Sequence, residues 1–289
     1  SLPVVLVLTG VCCGTVVLAD EGKPAACIVL PARPTRTEQL AADELKYHIQ
    51  RMSEDELPIR EEAYDLVFST YLGGSKWEHA RDVFADPADN VYVVGGTASR
   101  DFPTTPGVYD RTSNTGGKKI GPAGQCDAFV AKFSSEGTLI WSTFLGGPNY
   151  DRAYAVEVDA EGYVYVAGRA GPGFPVTPGA FQLQYGGSGY NGFYGDQNGF
   201  VAKLAPDGTR LIWSSYVGVG ELCRDLAIDS DGDIYLPLGW NTQSARSKRP
   251  QWFETAFVNA FQKKPRGDLD CGVVKVLSDG SRVAWATWL

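Results

Sequence analysis

Tryptophan recurs at positions 141, 213 and 285, an interval of 72 residues each time, and Phe68 stands 73 residues before the first of them. A period held over four positions means that the chain is assembled from copies of one unit. Such a unit folds as a small supersecondary element that buries its apolar face against its neighbours. The residues around the period repeat as well. EHARDVFADPADNVYVVGG from Glu78, DRAYAVEVDAEGYVYVAG from Asp151 and ELCRDLAIDSDGDIYLPLG from Glu221 align on Asp86, Asp159 and Asp229. Each reads as an alternating strand, a short turn and a second alternating strand. A second hairpin follows in DAFVAKFSSEGTLIWSTFLGG from Asp127, GFVAKLAPDGTRLIWSSYVG from Gly199 and CGVVKVLSDGSRVAWATWL from Cys271. Its turn is clearest at Pro206-Asp207-Gly208, where Pro presets φ, Asp bonds locally and Gly accepts a left-handed conformation.

Four strands per period, joined by tight turns, is the pattern of a β-propeller blade. The composition agrees: 34 glycines punctuate a chain with 12% aromatic residues. The expected fold is therefore all-β, a partial β-propeller over residues 64–289. It has three four-stranded blades at about 80–145, 153–217 and 224–289, preceded by one orphan outer strand at Leu66–Leu72. Three blades do not close a ring that takes four to eight. The last copy stops at Trp288-Leu289 where its sisters run on into glycine, so the array is expected to be truncated and to continue in a longer protein. Open propeller edges would also permit self-association.

The strand DAFVAKF, with WSTFLGG, VDAEGYVYVAG and FPVTPGAFQ, resembles the SBBP repeats of exported bacterial β-propeller proteins. The resemblance covers Leu66–Leu289 and implies the fold more than an activity. Relative to that family, this chain lengthens the segment between its two hairpins.

Residues 20–63 read differently. Ala26–Leu30 has a strand pattern. Thr37 is placed to cap a helix whose face carries Leu40, Ala41, Leu45, His48, Ile49 and Met52, and Leu57–Ile59 begins a further strand. This short β-α-β segment resembles the start of the non-catalytic N-terminal domain that precedes glycoside hydrolases such as α-glucuronidases and β-hexosaminidases. A helix with strand flanks of its own is the other reading. The resemblance implies a carbohydrate context and transfers no catalytic residue. Residues 1–19 are almost wholly apolar before charge begins at Asp20, as in a secretory signal peptide, with a transmembrane anchor as the alternative. Export places the protein outside the cytoplasm, secreted or in the periplasm or cell envelope, where the four cysteines after the leader, Cys27, Cys126, Cys223 and Cys271, could pair, with isolated buried thiols as the alternative.

The net charge is −8 and no Lys/Arg-rich stripe occurs, which excludes nucleic acid as a partner. The two histidines, His48 and His79, share no motif, and no nucleophile elbow, P-loop or zincin sequence is present, so no catalytic residue is assigned and no enzyme is expected. Asp229, Asp231 and Asp233 could offer oxygen ligands to Ca²⁺; no other cofactor is implied, and the alternative is an Asp-stabilised hairpin turn. The long inserts between second and third strands, at about 97–126, 169–198 and 239–270, are the candidate ligand face. Tyr185, Tyr190, Phe193 and Tyr194 in one, and Trp240, Asn241 and Trp252 in another, combine ring area with polar groups suited to sugar or peptide recognition. The alternative is that these rings fold back over the blades, as Phe102 and Phe174, spaced by 72, are expected to do. Two functions follow: a binding or scaffolding module at the cell envelope with a protein or glycan partner, or the carbohydrate-binding accessory part of a carbohydrate-active enzyme.

Overall fold

The chain divides into two compact units, Ser1–Val67 and Phe68–Leu289, in a computed structural model. In the first unit the structure describes the backbone of residues 4–7, 19–20, 23–24, 26–31 and 59–62. In the second it describes 68–289 apart from 115, 117–123, 188–193, 196, 219–222, 242–249, 265 and 267–268.

In the first unit β1 (Val4–Val7), β4 (Ala26–Pro31) and β5 (Ile59–Glu62) form a parallel sheet in the order β1-β4-β5, and β2 (Ala19–Asp20) pairs antiparallel with β3 (Lys23–Pro24). The strand expected at Ala26–Leu30 is present. The helix expected after Thr37 lies outside the described residues. Part of the apolar run read as a leader or anchor forms β1, and among the described residues no helix is long and apolar enough to cross a membrane.

The second unit is all-β, with twelve strands in three antiparallel four-stranded sheets. The first sheet is β6 (Glu78–Ala85), β7 (Val91–Thr97), β8 (Asp127–Phe133) and β9 (Leu139–Leu145). The second is β10 (Arg152–Val158), β11 (Val164–Ala170), β12 (Asn198–Leu204) and β13 (Leu211–Val217). The third is β14 (Ala227–Ile228), β15 (Ile234–Asn241), β16 (Leu269–Val276) and β17 (Val283–Trp288). Each sheet is a meander in chain order: tight turns join its first strand to its second and its third to its fourth, and a long insert joins the second to the third. The inner hairpin turn of the first sheet contains no glycine, and Asp89 takes the left-handed conformation there, at φ 60°.

Strand alternation predicts one wet face per strand, but the central strands differ. In β8 and β12 every residue is buried except one lysine each, Lys132 and Lys203. The cause is stacking. Val94, Ala128 and Val130 of the first sheet share a core with Val156, Val166 and Phe200 of the second. Ala155, Tyr165 and Val201 of the second share another with Leu236, Val274 and Ala286 of the third. A sheet covered on both faces has no polar side to alternate.

The period appears as a latch between consecutive sheets. The Trp141 indole N–H donates to the Pro206 carbonyl at 3.1 Å, and the Trp213 indole N–H donates to the Ser278 carbonyl at 3.0 Å. Each ring lies on the turn glycine two residues further on. A Cβ on Gly208 would come within 2.7 Å of Trp141, and one on Gly280 within 2.3 Å of Trp213. Both glycines also have positive φ, 68° and 69°, so two independent reasons exclude a side chain there. Phe68 lies in the same way on Gly137, but residues 68–72 form no strand, which corrects the orphan strand expected from the sequence: no ladder partner lies beside them among the described residues. Trp285 occupies the same register, opposite Lys275 as Trp141 is opposite Lys132 and Trp213 opposite Lys203, yet it is 41% exposed against 4% and 5%. No further sheet lies against it among the described residues.

Candidate functional site

The aspartates that start the inner hairpins are engaged alike in all three sheets. Asp159 accepts the Tyr163 N–H at 2.8 Å with one oxygen and the Tyr165 hydroxyl at 3.0 Å with the other, and Lys203 Nζ stands 3.4 Å away. Asp86 meets Asn90, Tyr92 and Lys132 in the same way, and Asp229 meets Asp233, Tyr235 and Lys275. Lys203 and Lys275 lie opposite Tyr165 and Tyr235 in the neighbouring strand, so sheet register brings the three groups together. The Lys275 ammonium holds the Asp229 carboxyl below the usual range. Lys275 also takes Asp233 at 3.0 Å. The carboxylates of Asp229 and Asp233 are thus committed to a lysine and to turn N–H groups, and Asp231 is exposed. Among the described residues no three metal-ligating side chains gather. Tyr165→Phe removes a hydroxyl that gives to Asp159 and receives from Lys203 Nζ at 2.6 Å, in a side chain with no exposed surface. It is expected to cost about 1–2 kcal/mol, read as a lower urea midpoint at unchanged slope.

Between the second and third sheets these turns border a cleft of about 860 Å³. One wall is Pro178, Gly179 and Ala180 from the second insert, with Trp213 beside them. The other carries the Asp229–Gly232 turn and Ser278-Asp279. Tyr163 and Tyr165 line its floor under Lys203, whose ammonium lies 4.4 Å and 4.6 Å from their ring centres. With Asp159 and Asp229 committed, and Asp279 exposed but accepting the Ser281 N–H and hydroxyl with one oxygen, the exposed carboxylates of the lining with no bond to them are Glu161 and Asp231.

The inserts join the second strand of each sheet to the third, where the sequence places them, and their backbones reach the fourth strand. Thr105 and Asp110 bond to Ser142 and Phe144 along β9, Thr177 and Gln182 bond to Ser214 and Tyr216 along β13, and Gln262 accepts from Trp288 on β17. They cover the outermost strands, whose unpaired N–H and C=O groups would otherwise invite another chain. Phe102 and Phe174 are buried, as expected, against Phe129 and Phe200. Trp252 begins a five-residue helix, α1 (Trp252–Ala256), and is 7% exposed. Its indole N–H donates to Gln182 and its ring packs on Phe181 and Phe253. Tyr185 is half-buried with its edge on Tyr216. Tyr194 lies 4.9 Å from Tyr150 and takes the Arg169 guanidinium over its ring at 4.2 Å. Tyr190 and Phe193 lie outside the described residues, as do the side chains of Trp240 and Asn241, whose backbones end β15. Among the described residues, Tyr185, Tyr194 and Trp252 each have separate ring partners. Cys126 and Cys223 are buried and Cys271 is exposed.

Compared with known proteins, the chain matches no family model and no curated protein.

Proposed function

We propose that the three sheets are blades of a β-propeller and that the chain is an exported binding and scaffolding module of the cell envelope, its ligand seated in the cleft between the second and third sheets. The meander order, the stacking of consecutive sheets and the recurring Trp–Gly latch support the propeller reading. Export rests on the apolar run of residues 1–19. The observation that carries the binding role is the cleft itself: about 860 Å³, walled by an insert, floored by tyrosines and rimmed by Glu161 and Asp231. A space of that size with few converging polar groups is what ligand sites offer. The free carboxylates favour a protein segment that presents Lys or Arg side chains.

Calorimetric titration of the chain with an oligo-lysine peptide tests this. The expected result is saturable binding that weakens about tenfold in the Glu161→Gln/Asp231→Asn double variant and falls steeply with salt. Defined sugar binding on a glycan array, lost in Tyr163→Ala, would instead support the carbohydrate-accessory reading. If neither ligand class binds, or the double variant binds the peptide as before, the cleft is not the site.

A further inference from the structure

Four guanidinium groups surround one tyrosine on the inner strands. Arg169, Arg81, Arg152 and Arg224 lie 5.0, 5.1, 5.6 and 5.9 Å from the centre of the Tyr154 ring. They come from four separate stretches: β6 supplies Arg81, β10 Arg152, β11 Arg169, and the residues before β14 Arg224. His79 joins them, its Nδ1 bonded to Arg152. Burial, and then the charges of Arg152 and Arg81, push the His79 imidazole down, so it meets Arg152 as a neutral acceptor.

Arg152 and Arg169 are 3% and 4% exposed, while Arg81 and Arg224 are exposed at the mouth. Nε of Arg152 and both Nε and Nη1 of Arg169 are buried with no hydrogen-bond partner. No ion pair engages any of the four arginines among the described residues; the carboxylates that are paired take Lys132, Lys203 and Lys275. The nearby acids are occupied elsewhere. Asp151 accepts the N–H groups of Gly147 and Gly171, Glu78 accepts the Thr97 hydroxyl, Asp82 the Val156 N–H and Asp225 the Leu226 N–H. Ring faces offset part of the cost of burying such charge, through Tyr154 and Tyr194, and Arg152 Nη1 donates to the Tyr150 hydroxyl at 3.2 Å while Arg169 bonds the Tyr154 side chain, but Arg152 Nε and Arg169 Nε and Nη1 stay unmet.

The framework does not require this arrangement. The position of Arg169 is held by Gly96 in the first sheet and by Gly239 in the third. In the first sheet the space over Gly96 is taken by the Cys126 sulfur, which a Cβ would approach to 2.7 Å. An arginine that one sheet has and its sisters lack, buried with idle donors, serves something other than stacking.

We propose that this cluster is a binding site for a small ligand bearing an oxyanion group, a phosphate, sulfate or carboxylate. The guanidinium fork matches the spacing of two oxygens on such a group and binds it with charge-assisted bonds. Arg169 and Arg152 meet the anion from below, Arg81 and Arg224 close on it from the solvent side, and the Tyr154 ring carries the body of the ligand. The site is separate from the cleft and independent of the function proposed for it.

Calorimetric titration of the full chain at constant ionic strength, with sodium phosphate, sodium sulfate and sodium glucuronate in turn, distinguishes the sources of the group. Saturable one-to-one binding of at least one anion is expected. Arg81→Gln and Arg224→Gln should each weaken it about tenfold, the loss of one charged contact, while Arg210→Gln in the turn before β13 and Glu161→Gln/Asp231→Asn at the cleft leave it unchanged. Because Arg81 and Arg224 are exposed, both variants should keep the parent circular dichroism spectrum. As a second reading, phenylglyoxal should label Arg81 and Arg224, by mass spectrometry, less in the presence of the anion. Binding that does not saturate for any of the three anions, or that is equal in parent, Arg81→Gln and Arg224→Gln, overturns the proposal.

Discussion

Trp213→Ala is expected to lower stability by about 3–5 kcal/mol, the range for deleting a large buried aromatic. The ring is 5% exposed, sits between two sheets and lies directly on Gly280. Its loss opens a cavity that the stacked sheets are too rigid to close. The Ser278 carbonyl also loses its indole donor, while Gly280 keeps a left-handed turn with nothing packed on it. Trp213→Phe retains most of the ring and should cost about 1–2 kcal/mol, mainly through the hydrogen bond. Trp285→Ala is the control. It has the same position in its strand but is 41% exposed, so its cost should stay within about 1 kcal/mol. Urea unfolding followed by far-ultraviolet circular dichroism gives all three as midpoint shifts. Equal losses for Trp213→Ala and Trp285→Ala would show that the latch does not hold the sheets together.

That contrast also marks what the sequence makes legible. The interval from Trp141 to Trp213 to Trp285 predicts like positions in like strands, and the strands follow, because period-2 alternation and Gly or Asp turns are local signals. Which faces are wet is not local. Lys132 and Lys203 alone stay half-buried in strands whose other residues are buried, since that depends on the neighbouring sheet. The Asp159 turn is readable, but its tyrosine and lysine partners, 6 and 44 residues on, meet only once register is fixed. What the inserts pack against is not local either. Their aromatics resemble a loop paratope in composition, whereas Thr105 and Thr177 show by their bonds that the backbone serves the outer strand edge. The cluster around Tyr154 draws single residues from four stretches and has no motif. Its one sequence signal is a departure from the period, Arg169 where the sister copies have Gly96 and Gly239.

Asp127 provides the other large effect, and its sign runs against the usual behaviour of carboxylates. The side chain is fully buried; one oxygen accepts the Asn114 N–H at 2.7 Å and is bonded by the Ser113 side chain, and its other oxygen has no partner. Burial raises its pKa from 3.8 to about 7. Burial also pushes Asp151 up, with Asp127 adding to it. Between about pH 4 and pH 7 the folded chain therefore holds a proton that the unfolded chain releases, so stability falls as pH rises through that window and levels off above it. The shift corresponds to at most about 4 kcal/mol. In the second sheet the same position is Asn198, whose amide donates to Val217 and Gly218 at 3.2 and 2.7 Å and accepts the Gly187 N–H. Asp127→Asn should copy that arrangement with Leu145 and Gly146 as acceptors. It is expected to stabilise the chain by about 2–4 kcal/mol at pH 8 and by less than about 1 kcal/mol at pH 4, removing the Asp127 part of the profile and leaving those of Asp151 and Glu157, which fall with pH, and of His79, which rises. Urea midpoints of parent and variant across pH 4–8 measure this directly. A variant whose profile runs parallel to the parent's across pH 4–8 would mean that Asp127 is ionised in the folded chain.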